Sequence, residues 1–288
     1  MTHLETEGFR VTFWGVRGSI PCPGQKTLRY GGNTSCIEML VGQERLIFDG
    51  GTGLRVLGDF LMATHPQQKI KGHLFFTHTH WDHIQGFPFF APAFTKGNQF
   101  QIYGVPNSEK CTIEHRLSDQ MLHPNFPVPL QIMQGNLAFY HLQVGEVLTL
   151  GAEIRVENRP LNHPGQAVGY RVSWRGITVA FITDTEHFGD RLDANVIHLA
   201  HQADVLIIDA TYTDEEYHDL EGGKKGWGHS TWQEAIKVAQ AAQVKELILF
   251  HHDPAHDDDQ LEAILEQAQS RFPRTRLAQE GLTLELLP

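Results

Sequence analysis

Short apolar runs separated by glycine-rich turns fill the first half of the chain: residues 10–14, 36–41, 46–48, 74–76 and 100–103. Runs this short, bounded by turn residues, read as buried strands. The second half repeats the pattern. Residues 168–174 and 177–183 flank Arg175-Gly176, a hairpin signature, while 205–209 and 247–250 are continuous apolar runs of the kind buried on both faces. Thr231 and Glu234 stand in capping-box spacing, followed by Ala235, Ile236, Ala239 and Ala242 on one helical face. A last helix is expected from about Asp258, with Leu261, Ile264, Leu265 and Ala268 inward. Prolines and phenylalanines crowd residues 88–94 and 123–130, which excludes regular helix or central strand there and marks either a lid, pocket wall or dimer contact or an ordinary packed loop. No linker, repeat or low-complexity segment divides the chain, so residues 1–288 are expected to form one α/β domain.

Composition narrows the classes. Three widely spaced cysteines, Cys22, Cys36 and Cys111, form neither a disulfide framework nor a zinc knuckle and point to a reducing cytoplasm. The polar start has no apolar leader, and no run is long enough to span a membrane. A formal net charge of −11 gives no support to gripping long nucleic acid, whose affinity rests on phosphate neutralisation. Bound divalent ions would reverse the charge locally, so a small anionic substrate fits.

The chemistry concentrates in Thr77-His78-Thr79-His80-Trp81-Asp82-His83, directly after the apolar run at 73–76. Imidazole and carboxylate donors at a strand's C-terminal end suit Zn²⁺, and also Mn²⁺ or Fe²⁺. These donors alone cannot close two tetrahedral sites, so partners are required downstream. His163 in a loop, Asp184 and Asp209 at strand ends, His229 before the capped helix, and His251 or His252 after the run at 247–250 supply candidates. Each position lets a rigid sheet aim a side chain into one cleft.

In this order the motifs resemble the metallo-β-lactamase superfamily from about Phe13 to His252. The resemblance implies a four-layer αββα sandwich. It implies that His78, His80 and His163 hold one ion, that Asp82, His83 and a terminal histidine hold the second, and that Asp184 bridges them. The run ending in His251 is similar to the final-ligand strand of RNase Z-like proteins, which favours His251 over His252. Phe48-Asp49-Gly50-Gly51-Thr52-Gly53 resembles that fold's aspartate–glycine turn; no Gly-Lys-Ser/Thr follows, so it is no P-loop, and it reads as a turn positioning the metal loops.

Asp209-Ala210-Thr211 and Gly228-His229-Ser230-Thr231 resemble two further RNase Z motifs, which implies that His229 protonates the leaving oxygen and Asp209 orients it. His163 and Asp184 lie only 21 positions apart, without room for the tRNA-gripping arm of those enzymes. The expected activity is therefore a dinuclear-metal phosphodiesterase for a small phosphodiester, a cyclic nucleotide first. The similar branch includes enzymes that degrade cyclic mononucleotide immune signals. Attack would come from a metal-bridging hydroxide, with Asp82 both ligand and catalytic residue. Arg17 and Asn33 are the candidate substrate contacts, and Trp81, Phe87 and Trp227 are candidates to stack on a base. Alternatives are an RNase Z-like endoribonuclease or a thioesterase or lactonase of the same fold. Family likeness further implies a homodimer.

Overall fold

The protein is described by a computed structural model covering residues 8–106, 111–151 and 153–287. Most of the polar start, and residues 107–110 of the interval holding the Pro/Phe segments, lie outside the described residues. The chain divides into two compact units.

The first unit falls within Met1–Gly15, Asn33–Gln143 and Glu280–Leu287. Its mixed sheet contains β1 (Phe9–Gly15), β2 (Cys36–Val41), β3 (Glu44–Phe48), β4 (Lys71–Phe75), β5 (Gln99–Gly104), β6 (Asn136–His141) and the chain's last strand, β14 (Thr283–Leu286), in the order β14-β1-β2-β3-β4-β5-β6. From β3 to β6 neighbours run parallel; the others are antiparallel. In β1, Phe9, Val11 and Phe13 are buried and alternate with half-buried Arg10, Thr12 and Trp14, the period-2 signature of a strand. Helix α1 (Thr52–Thr64) sets Leu54, Leu57 and Leu61 on one face into the core, with Phe87, Phe90 and Ala93 in the same cluster. α2 (Trp81–Ile84) is a single helical turn, and α3 (Ile113–Asp119) adds Ile113 and Leu117. Most of the apolar residues at 87–94 are thus core, although Phe89 is 55% exposed. Their prolines fall in 3₁₀ turns, as their missing N–H groups require.

The second unit, Val16–Gly32 with Val144–Gln279, contains β7 (Val147–Leu150), β8 (Ile154–Pro160), β9 (Val168–Trp174), β10 (Ile177–Ile182), β11 (Val205–Asp209), β12 (Glu246–Phe250) and β13 (Thr275–Leu277). The sheet order is β13-β12-β11-β10-β9-β8-β7, parallel from β10 to β13 and antiparallel elsewhere. Every residue of β10 and β11 is buried, which their unbroken apolar character demands. Arg175 (φ 47°) and Gly176 (φ 85°) close the β9–β10 hairpin as a left-handed two-residue turn.

Helices α4 (Ala194–Ala200), α5 (Asp214–Tyr217), α6 (Trp232–Ala241) and α7 (Asp258–Arg271) complete this unit. Val196 and Leu199 of α4, Ala235, Ile236 and Ala239 of α6, and Leu261, Ile264 and Ala268 of α7 join one core cluster, with Leu265 packed against it. The reciprocal capping box expected at Thr231 is only half made. Thr231 Oγ1 accepts from Glu234 N–H, but the Glu234 carboxylate takes Lys237 instead. Full boxes occur at Thr213/Glu216 and Asp257/Gln260. No helix among the described residues is long and apolar enough to cross a membrane.

Candidate functional site

Each unit gathers donors beyond the C-terminal ends of its parallel strands, the usual location of sites in open α/β sheets. In the first unit the donors follow β4. His78 and His80 lie with ring centroids 4.5 Å apart, His78 and His83 at 4.2 Å, and His83 Nε2 sits 3.2 Å from Asp82 Oδ2. His78, Asp82 and His83 are buried, while His80 is exposed. Asp82 and His83 lie on the turn α2 rather than in open loop.

Asp49, following β3, orders this set. Its buried carboxylate accepts from Ser35 Oγ at 3.0 Å, Thr77 N–H at 2.8 Å and Thr77 Oγ1 at 2.9 Å. His83 Nδ1 donates to it at 2.7 Å. The sequence implies a positioning role for this turn, and the structure identifies the Asp49 carboxylate as the partner of His83. The signal for that role is an acidic residue directly after β3, the strand paired with β4.

In the second unit Asp184, Asp209 and His251 end or follow the adjacent parallel strands β10, β11 and β12. Asp184 Oδ2 lies 3.7 Å from His163 Nε2, and its Oδ1 lies 3.3 Å from His251 Nε2. One carboxylate thus faces a different imidazole with each oxygen. His229 Nδ1 sits 2.8 Å from Asp209 Oδ2, and the His229 ring stacks on His251 with centroids 4.8 Å apart. Ligand atoms of Asp209, His229 and His251 all lie within 4.8 Å of one another.

Burial pushes the Asp209 carboxyl upward, but the charge and hydrogen bond of His229 outweigh it and hold the group below its ordinary value. Asp209 also accepts from the N–H groups of Thr185, Thr211 and Ser230 and from Thr211 Oγ1.

The hydrogen-bond network assigns the imidazole tautomers. Gly228 C=O can only accept, so His163 Nδ1, at 2.7 Å, carries a hydrogen. The single Thr211 Oγ1 hydrogen lies between two acceptors, Asp209 Oδ1 and the His251 carbonyl, so Oγ1 accepts from His251 Nδ1 at 3.1 Å. Thr77 Oγ1, which donates to Asp49, accepts likewise from His78 Nδ1 at 3.1 Å. In the neutral rings the Nε2 atoms then carry lone pairs, and those of His83, His163 and His251 face carboxylate oxygens. Acceptor against acceptor is an arrangement that a cation between them makes favourable. The donors therefore fit divalent ions, with the Nδ1 partners fixing ring orientation as in metal-ligating histidines.

His251 and His252 separate clearly. His251 stands beside Asp184, whereas His252 donates from Nε2 to Ala278 C=O at 2.9 Å and is buried beside Arg17. Burial, reinforced by the Arg17 charge, lowers the His252 pKa to about 3. It is a neutral core residue.

Arg17 and Asn33, expected at a substrate phosphate, are committed to protein groups. Arg17 is fully buried, its Nε donating to Gly31 C=O at 2.8 Å and its Nη1 to the Asp253 and His256 carbonyls at 3.1 and 2.6 Å. Asn33 donates through N–H and Nδ2 to the two oxygens of Glu280 at 2.6 and 2.9 Å. Of the aromatics expected to stack on a base, Phe87 is buried in the core, while Trp81 and Trp227 are exposed.

Two glycines are dictated by the site. A Cβ on Gly18 would lie 2.3 Å from His251 Cε1, and one on Gly228 (φ 88°) would lie 2.4 Å from His163 Nδ1. Asp49, Asp184 and His251 themselves adopt left-handed backbone, at φ 62°, 51° and 62°. Such residues cost roughly 1–3 kcal/mol each and cluster at functional sites.

Comparison with known proteins bears on the family and the fold. The family model described as "Beta-lactamase superfamily domain" matches residues 44–252. A ribonuclease Z of Enterococcus faecalis is 27% identical over 280 residues, 83% of this chain and 87% of that protein. The metallo-β-lactamase fold protein YhfI of Bacillus subtilis superposes with a TM-score of 0.70 at 20% identity, covering 97% of this chain and 99% of YhfI. A diphosphatase of the PhnP family does so with a TM-score of 0.66 at 20% identity, covering 97% and 98%. The two mixed sheets flanked by helices are the metallo-β-lactamase α/β sandwich fold.

Proposed function

The chain belongs to the beta-lactamase superfamily and is a metal-dependent hydrolase, and from that premise we propose a dinuclear phosphodiesterase acting on a small phosphodiester, a cyclic nucleotide first among them. His78, His80 and His163 would hold one divalent ion and Asp82, His83 and His251 the second, with Asp184 shared. The imidazole–carboxylate set suits zinc best, with manganese and iron(II) as alternatives. Bound ions of this kind supply Lewis acidity and lower the pKa of water towards neutrality.

The observation that carries the phosphodiesterase reading is the His229–Asp209 pair, 2.8 Å apart with the carboxylate fully buried. A ribose oxygen leaving phosphorus needs a proton. Asp209 holds His229 Nδ1–H and favours the imidazolium, so His229 Nε2 is positioned to give that proton up. Asp82 would orient the attacking nucleophile. Hydrolysis of a thioester or lactam would not require the pair.

The similarity to ribonuclease Z supports phosphodiester chemistry. Residues 164–183 form a short loop and the β9–β10 hairpin, which favours a small substrate over precursor tRNA. The enzyme is proposed to be cytoplasmic and, from family likeness, a homodimer of hydrolase domains, which light scattering tests.

The deciding experiment uses protein of measured zinc, manganese and iron content. It is offered 3′,5′- and 2′,3′-cyclic nucleotides, bis(p-nitrophenyl) phosphate, precursor tRNA, a thioester and a lactam. Turnover of cyclic nucleotides is expected. A fully loaded protein that cleaves no phosphodiester would overturn the proposal, and preferential cleavage of precursor tRNA would favour the endoribonuclease.

A further inference from the structure

Glu186 lies two residues beyond Asp184 and outside every motif that marks the donor residues. Apart from Tyr217 at the end of α5, its hydrogen-bond partners among the described residues nevertheless lie in the segments that carry His163 and His229. One carboxylate oxygen, Oε1, accepts from Gly226 N–H at 2.7 Å and Tyr217 Oη at 2.5 Å; the other, Oε2, accepts from Gly228 N–H at 2.9 Å. The Glu186 backbone pairs with the residue before His163. Its N–H donates to Asn162 C=O at 2.8 Å, and its C=O accepts from Asn162 Nδ2 at 2.8 Å. The peptide it grips then reaches both rings, since Gly228 C=O accepts from His163 Nδ1 and His229 follows directly.

Gly226 and Gly228 both have left-handed backbone, at φ 86° and 88°, so this glycine-rich stretch has no side chains to fix it at those points. Burial holds the stretch only at Gly228, because Gly226 and Trp227 are exposed. A carboxylate accepting from two of its N–H groups replaces that missing constraint.

We propose that Glu186 is a positioning residue that sets the orientation of His163 and His229 by clamping the Gly226–Gly228 backbone. This inference rests on the reading of those histidines as ligand and proton donor, but its geometric content can be tested apart from it. Only a carboxylate offers acceptors on both arms. A glutamine would turn one arm into a donor against N–H or O–H groups that are themselves donors.

The test compares zinc-loaded wild type, Glu186→Gln and the milder Tyr217→Phe, with fold checked by circular dichroism and thermal melting. Low-field proton NMR follows the imidazole Nδ1–H signals. In Glu186→Gln the His163 and His229 signals are expected to shift or exchange faster, while the His83 signal, held by Asp49, stays unchanged. Tyr217→Phe should give a smaller change of the same kind. For 3′,5′-cyclic AMP, kcat should fall about 10- to 100-fold in Glu186→Gln, with KM altered less. A folded Glu186→Gln protein with unshifted His163 and His229 signals would overturn the proposal, as would an equal change in His83. Should Glu186→Gln fail to fold, Tyr217→Phe decides on the same signals. Wild type inactive on every phosphodiester would count against the functional reading alone, and the NMR comparison would still decide the clamp.

Discussion

His229 donates from Nδ1 to the Asp209 carboxylate at 2.8 Å, and that carboxylate is fully buried and held by three backbone N–H groups. Removing the ring by His229→Ala leaves Asp209 its backbone donors, so the fold should persist. Turnover of 3′,5′-cyclic AMP, whose leaving group is an alkoxide, should drop by about 10²–10⁴-fold. Turnover of bis(p-nitrophenyl) phosphate should fall far less, because a nitrophenolate departs without protonation. Parallel kinetics on the two substrates check this, and equal losses would exclude the proton-donor role.

Asp49 acts on metal binding through His83. Replacing it by Ala removes the acceptor for His83 Nδ1–H and, with it, the partner of Thr77. Metal affinity should fall about 10- to 100-fold, the usual effect of losing a histidine's orienting partner. Competition against a chromogenic zinc chelator, with stoichiometry by mass spectrometry, measures it. Unchanged affinity at both sites would show that His83 does not bind metal.

Strands were legible where apolar residues run unbroken, as in β11, or alternate up to a marked turn, as in β9 before Arg175-Gly176. Residues 168–174 and 205–209 match β9 and β11 at both ends, and 177–183 overruns β10 by one residue. Helix α1 was not legible: its N-cap is Gly51, with no capping side chain, and Gly53 and Gly58 interrupt the pattern. Those glycines answer to packing, since a Cβ on Gly53 would lie 2.6 Å from the Trp14 backbone. Strands β6 to β8 escaped notice because polar and half-buried residues dilute their alternation. At the candidate site, motif order selected the donors, but nothing local to Arg17 announces that its charge would turn inward to backbone carbonyls. That depends on residues 253–256, more than two hundred positions away.

Close approach at Gly18 gives a steric prediction. In Gly18→Ala the new methyl meets His251 at 2.3 Å, and that ring has little room to yield because it stacks on His229 and is bonded to Thr211. Overpacking should cost about 1–3 kcal/mol in stability. The displaced ring should also weaken one metal site and spare the other. Thermal melting with zinc titration reads both effects, and two intact sites would argue against His251 as a ligand.

Glu216 gives the pH dependence. Burial works to raise its carboxyl pKa, but hydrogen bonds from His256 and from the Thr213 backbone outweigh it and bring the pKa to about 2, against an ordinary value of 4.5. A carboxyl lowered on folding contributes stability that is complete above about pH 4.5 and is lost as pH falls towards 2. Its side chain is 40% exposed, so solvent screening limits the contribution to about 1 kcal/mol. The same bond fixes His256, whose carbonyl receives Arg17, in the segment just after His251. Glu216→Gln should therefore be less stable than wild type at pH 7, with the difference shrinking as pH falls from 4.5. Urea unfolding of both proteins between pH 3 and 7 measures it, and a difference that stays constant with pH would show that the Glu216 charge contributes nothing.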